Sequence, residues 1–206
     1  MSRLRVGILI FNQVEVLDFC GPLEVFAVAR LDEEKRREEP SPFEPVLVAE
    51  NLELITTTGG MRVQPHYTFQ DCPPLDILIV PGGQGMRTEI KNEHLISWIE
   101  KVGANVKTLA GVCTGSMLLG QAGLLDEKRA TTHWKSLDWM TFTFPEIKVE
   151  RKLHVVEDGN VITSAGIAAG IDLALLVVKH YFGEQIARNT ARHMEYPYSE
   201  DNSRRI

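Results

Sequence analysis

A chain of 206 residues with 44% hydrophobic and 24% charged residues can close one full core, so a single domain over residues 1–206 is expected and disorder is excluded. The formal net charge is -6, and the basic cluster Lys35-Arg36-Arg37 is interleaved with Asp32, Glu33, Glu34, Glu38 and Glu39, so it neutralises itself and offers no nucleic-acid patch. No uninterrupted apolar run spans a bilayer, and Met1-Ser2-Arg3 leads into a strand without a signal-peptide cleavage pattern, so no membrane partner and a cytoplasmic location are expected.

In chain order the sequence alternates strands and helices. Residues 4–10 are a short branched apolar run of the kind a parallel sheet buries on both faces, and they predict a central strand. Residues 14–27 begin as a loop and turn helical from about Pro22, because proline is tolerated in a first helical turn. Asp18 and Glu24 each lie among apolar neighbours. A carboxylate so placed either caps the helix near the surface or sits in a cleft with a raised pKa that lets it carry a proton.

The charged stretch 32–39 and Pro40-Ser41-Pro42 form a surface connection. A second strand is expected over 45–49. Residues 55–57 and 61–63 flank Gly59-Gly60 and predict a small hairpin at the edge of the sheet. A strand over 76–80 then runs into Pro81-Gly82-Gly83-Gln84-Gly85. Ligands of doubly wound folds bind beyond strand carboxyl ends, and the Gly82 and Gly83 N–H groups there either hold a developing negative charge or simply mark a tight turn. The loop matches neither a GxGxxG fingerprint nor a P-loop, so no nucleotide cofactor is expected. A helix over 93–101 stops at Gly103.

Residues 106–111 read as the end of a buried strand and 114–122 as a buried helix, with Cys113 on the joint. A side chain on so tight a strand-to-helix turn is pushed out at the carboxyl edge of the sheet. The helix start at Thr114 favours negative charge on the sulfur, predicting a thiol pKa below its free value. The other reading is an inert core cysteine. Cys20, Cys72 and Cys113 show neither CxxC nor metal-ligand spacing, which suits free thiols in a reducing compartment and no metal. His133 follows a short strand and opens an aromatic-rich helix. It is either structural or the proton carrier that a thiol enzyme needs. Residues 153–156 and 161–164 form a hairpin about the turn 158–160, followed by an apolar helix over 171–181 and an amphipathic one over 184–194.

Four separated motifs carry a resemblance over nearly the whole chain. They are Leu17-Asp18-Phe19-Cys20-Gly21-Pro22-Leu23-Glu24-Val25-Phe26, Val112-Cys113-Thr114-Gly115, Ala130-Thr131-Thr132-His133-Trp134 and Ala169-Gly170-Ile171-Asp172-Leu173-Ala174-Leu175. With the Pro-Gly-Gly loop they resemble the DJ-1/PfpI superfamily, whose fold is related to that of class I glutamine amidotransferases. The resemblance implies an α/β, flavodoxin-like three-layer sandwich with a mainly parallel central sheet and a small edge hairpin. The motifs are most similar to the isonitrile hydratase branch, and sensor domains of AraC-type regulators carry a similar set.

Carried over by position, the resemblance makes Cys113 the nucleophile, Asp18 its acidic partner and Thr114 a positioning neighbour. It also implies a homodimer acting on a small molecule without a cofactor. Protease-like members place a histidine where this chain has Thr114, which disfavours peptidase activity. Cys20 stands where the branch has a small hydroxyl residue, placing a second thiol two residues from the acid. In the implied chemistry Cys113 adds to a protonated isonitrile carbon while Asp18 delivers the proton, and water then releases an N-substituted formamide. Two alternatives remain: action on an aldehyde such as methylglyoxal, with Glu24 or His133 handling the proton, and a non-catalytic redox or ligand sensor.

Overall fold

The computed structural model describes residues 3–205. The first apolar run forms β1 (Leu4–Leu9), followed by α1 (Val16–Val28) and β2 (Phe43–Ala49). Three two-residue strands come next, β3 (Ile55–Thr56), β4 (Arg62–Val63) and β5 (Tyr67–Thr68), and then β6 (Ile77–Val80). The short α2 (Met86–Glu89) leads into α3 (Glu93–Gly103), whose Asn92 side chain accepts the Leu95 N–H as an N-cap. The cysteine segment supplies β7 (Thr108–Val112) and α4 (Gly115–Gln121). After β8 (Arg129–Ala130) come a 3-10 turn at Trp134–Ser136, α5 (Leu137–Thr143) and β9 (Lys148–Val149). The chain closes with β10 (Val155–Asp158), β11 (Val161–Ser164), α6 (Ala169–Phe182) and α7 (Glu184–His193).

The central sheet has the order β10-β11-β7-β6-β1-β2-β5. All its neighbours pair in parallel except β10 with β11. β1, β6, β7 and β11 are buried almost throughout, as strands covered on both faces must be, and their Val, Ile and Leu content follows from that. From β1 the chain moves to β2 on one side and to β6 and β7 on the other, so right-handed crossovers send the helices to opposite faces. α1, α6 and α7 pack together, as do α2, α3 and α4. This is the expected flavodoxin-like three-layer sandwich.

Three local expectations change. α1 begins at Val16 rather than near Pro22, so Asp18 lies in its first turn and the proline inside it. Pro22 lacks the N–H that would reach the Asp18 carbonyl. The helix is held instead by close packing on α6, where a Cβ on Gly21 would stand 3.0 Å from Ile171 Cγ1 and one on Gly170 3.5 Å from the Pro22 ring. The β3–β4 hairpin forms, but as a separate ladder away from the sheet edge. Main-chain hydrogen bonds from Gln13 to Thr56 and from Thr58 to Val14 tie it to the loop after β1. The antiparallel edge of the main sheet is β10. Finally, His133 opens the 3-10 turn, with α5 beginning only at Leu137.

Candidate active site

The carboxyl ends of four adjacent strands, β11, β7, β6 and β1, lie side by side, and the strand order reverses between β1 and β6. That is where such sheets bind ligands. β7 delivers Cys113, β6 delivers Gly82 and Gly83, the helix after β1 delivers Asp18, and the turn after β11 delivers Ala165 and Gly166. Among the residues singled out from sequence, Cys113, Asp18, Thr114, Gly82, Gly83 and His133 meet here.

Cys113 has φ 56, a left-handed conformation that a side chain adopts only where its surroundings compel it. Its N–H donates to the Ala165 carbonyl at 3.3 Å. Its own carbonyl accepts two hydroxyls, Ser116 Oγ and Thr132 Oγ1, each at 3.0 Å and each buried. The glycine after Thr114 is forced by sterics, since a Cβ on Gly115 would lie 1.9 Å from the Val80 carbonyl oxygen. Strand, corner and helix thus fit together only with glycine at that point.

Asp18 is fully buried. Its Oδ2 accepts the Gly82 N–H at 3.0 Å, while Oδ1 makes no hydrogen bond among the described residues. The carboxyl also lies close enough to the Cys113 thiol for each to shift the other's titration. Burial raises the Asp18 pKa well above the usual carboxylate range, against the opposing pull of the Gly82 N–H, and so favours the protonated acid. The thiol departs from the sequence expectation. Burial pushes its pKa well up, a charged Asp18 would push it further, and the Thr114 N–H and hydroxyl pull the other way. With Cys113 only 6% exposed, desolvation outweighs the pull of the helix start on its pKa.

The glycine loop also differs from the role proposed for it. The Gly82 N–H is engaged by Asp18, and the Gly83 N–H donates to Thr114 Oγ1 at 3.2 Å. Both groups therefore orient the acid and the threonine instead of standing open to a ligand. Among the backbone N–H groups at the corner, the one that interacts with the sulfur is that of Thr114.

His133 is half-buried and reaches the same centre. A Cβ on Gly166 would lie 2.3 Å from His133 Cδ2 and 2.8 Å from the Cys113 sulfur, so imidazole and thiol border one small space that only glycine leaves open. Its Nδ1 accepts the Lys135 N–H at 3.3 Å. Burial, with the charges of Lys135 and Arg204, lowers its pKa and keeps the ring neutral. Glu24 is exposed and lies roughly 120° around α1 from Asp18, which removes it from the site. Cys20 is half-buried with its pKa raised by burial, and its two-residue offset turns it away from the Asp18 face. Sequence reasoning missed Ser116, Thr132 and Gly166. Only Thr132 carried a signal, its place next to His133.

Residues 4–180 match the family model described as the DJ-1/PfpI family. The chain is 38% identical over 193 residues to isonitrile hydratase of Pseudomonas putida, covering 94% of this chain and 78% of that protein. It is 36% identical over 134 residues to the HTH-type transcriptional regulator CdhR of Pseudomonas aeruginosa, covering 65% of this chain but only 39% of the regulator. Among solved structures, a ThiJ/PfpI family protein from Pseudomonas syringae superposes with a TM-score of 0.83 at 30% identity, over 98% of this chain and 79% of that one. With the cysteine corner in place and the match running through nearly every element of the sheet, the chain belongs to the DJ-1/PfpI family.

Proposed function

We propose that the protein is a cytoplasmic isonitrile hydratase-like lyase, converting an isonitrile and water to an N-substituted formamide without a cofactor. The observation that carries the reading is a fully buried carboxyl, whose protonated form burial favours, beside a cysteine sulfur on a corner with φ 56. Similarity to isonitrile hydratase supports it. The acid without a hydrogen bond on Oδ1 is suited to present its proton to a bound ligand.

The carbon of R–N≡C takes the Asp18 proton and becomes electrophilic. The Cys113 sulfur then forms a bond to that carbon as its own proton passes to the Asp18 carboxylate, giving a neutral thioimidate, R–N=CH–S, with the acid reloaded. In the second half Asp18 protonates the nitrogen and then, ionised, takes a proton from the attacking water. Collapse breaks the C–S bond, the hydroxyl proton returns to the sulfur, and R–NH–CHO leaves. Starting from a thiol instead of a free thiolate, the cycle conserves charge in a site that penalises ions. The Thr114 N–H and hydroxyl favour negative charge on the sulfur as it reacts.

Leu17, Trp134 and Ile167 are exposed and are chain neighbours of Asp18, His133 and Gly166. Exposed apolar residues so close in sequence to the site residues support a substrate with an apolar substituent and the expected homodimer. Incubation with an alkyl isonitrile in H2 18O, with the formamide followed by mass spectrometry, is the test. One labelled oxygen per product is expected, and no product would overturn the reading. The space shared by His133 and Cys113 favours a second reading, isomerisation of a hemithioacetal from an aldehyde. Consumption of methylglyoxal without isonitrile turnover would establish it.

A further inference from the structure

Residues 199–205 lie beyond the last helix and have no part in the chemistry above, yet their contacts lead back to the cysteine corner. Asn202 pairs with β10 on both sides, accepting the Val155 N–H on Oδ1 at 2.9 Å and donating Nδ2 to the Val155 carbonyl at 2.8 Å, while its main-chain carbonyl accepts the His154 N–H. Leu153 and Ser203 form an antiparallel bridge, and Arg205 is paired with Asp172 at 3.0 Å. These contacts carry Arg204 to the end of β8. There its guanidinium donates to the carbonyls of Thr132 at 3.1 Å and Arg151 at 2.9 Å, and to the Thr131 hydroxyl. The next link is the Thr132 hydroxyl, which donates to the Cys113 carbonyl.

We propose that Arg204 is a positioning residue for the cysteine corner: by fixing the backbone at 131–132 it sets the Thr132 hydroxyl that grips the Cys113 carbonyl, and so sets where the sulfur meets Asp18. Three hydrogen bonds from one planar guanidinium, to the Thr132 carbonyl, the Thr131 hydroxyl and the Arg151 carbonyl, tie residues 131–132 to the neighbouring segment in one orientation, which lysine, a flexible point charge, does not reproduce. The strained φ of Cys113 makes such support necessary, because a corner held against its preference relaxes when a restraint is lost. The Arg204 charge also contributes to keeping the neighbouring His133 neutral. The assignment rests on the hydratase reading for what is positioned, and its test does not.

The experiment compares wild type with Arg204→Met, Arg204→Lys and Asn202→Ala, the last loosening the segment without touching the corner. Iodoacetamide labelling of Cys113 is followed by mass spectrometry of its peptide, His133 is titrated by NMR, and isonitrile turnover is measured. In Arg204→Met the Cys113 labelling rate is expected to rise several-fold as the corner opens, while kcat falls about 10-fold or more with KM little changed. The His133 pKa rises in Arg204→Met and stays near wild type in Arg204→Lys, which keeps the charge. Asn202→Ala reproduces the faster labelling. Unchanged Cys113 labelling in both Arg204→Met and Asn202→Ala overturns the proposal. If wild type hydrates no isonitrile the functional reading fails, while labelling and titration still decide the role of Arg204.

Discussion

The Gly82 amide donates to Oδ2 of the buried Asp18 at 3.0 Å, and among the described residues the Oδ1 of the same carboxyl is left without a hydrogen bond. One bond fixes the plane of the acid, and the bare oxygen is free to give or take a proton. Their separation of 64 residues in sequence is closed by the pairing of β1 with β6. The catalytic expectations follow from this arrangement.

Replacement of Cys113 by Ser should abolish isonitrile turnover and leave the fold intact, since the hydroxyl is smaller and the backbone restraints on the corner remain. Circular dichroism and product analysis check both halves. Formamide production at the wild-type rate would exclude a covalent route.

For Asp18→Asn, turnover is expected to fall by about 100-fold or more, the usual scale for a lost proton carrier. Stability should move the other way. The folded pKa of Asp18 is raised, so below the unfolded carboxyl value of about 3.9 both folded and unfolded states hold the proton. As pH rises past that value the unfolded chain releases its proton while the buried acid keeps it, and wild-type stability is lost up to the folded pKa. The Asn variant lacks this loss. Thermal melts should therefore show its Tm advantage growing from about pH 4 towards neutrality. A difference independent of pH would contradict the protonated acid.

Thr114→Val keeps the shape of the side chain but removes the acceptor of the Gly83 N–H. Leaving that N–H unpaired should cost about 1–3 kcal/mol, read in urea unfolding, together with a loss of kcat. Thr114→Ser should restore most of both, and equal behaviour of Val and Ser would remove the hydroxyl from the account.

In Gly82→Ala the new Cβ would stand 2.3 Å from Thr114 Oγ1 and 2.6 Å from the Thr114 backbone nitrogen. The corner must shift, with destabilisation on the order of 1–3 kcal/mol and loss of turnover. By contrast, Glu24→Gln should leave kcat, KM and Tm unchanged, because that side chain is exposed on another face of α1. A large fall in kcat would return Glu24 to the site.

The cysteine corner was legible because its determinants are local. Apolar β7, the glycines at 111 and 115 and the small residues of α4 specify a strand, a sharp joint and a buried helix within about 15 residues. The alternation of such units predicts the parallel sheet, and the four quoted motifs point to the family. The start of α1 was not legible, since Pro22 is a breaker by local rules and is tolerated through packing on α6. Nor was the place of the β3–β4 hairpin, whose partner is the loop after β1 and not a sheet strand.

What the sequence by itself determined is the set of pieces and the chemistry each carries: a cysteine on a turn, an acid among apolar neighbours, a glycine loop after a strand. Tertiary structure alone decided their charges and their company. Whether a carboxyl or a thiol ionises depends on how much water is removed from it, and water is excluded here by segments far apart in the chain. Adjacency of β1, β6, β7 and β11 brings Asp18 to Cys113 and leaves Glu24 outside. The same burial that seats the pair raises both their pKa values, reversing the lowered thiol that the helix start predicted.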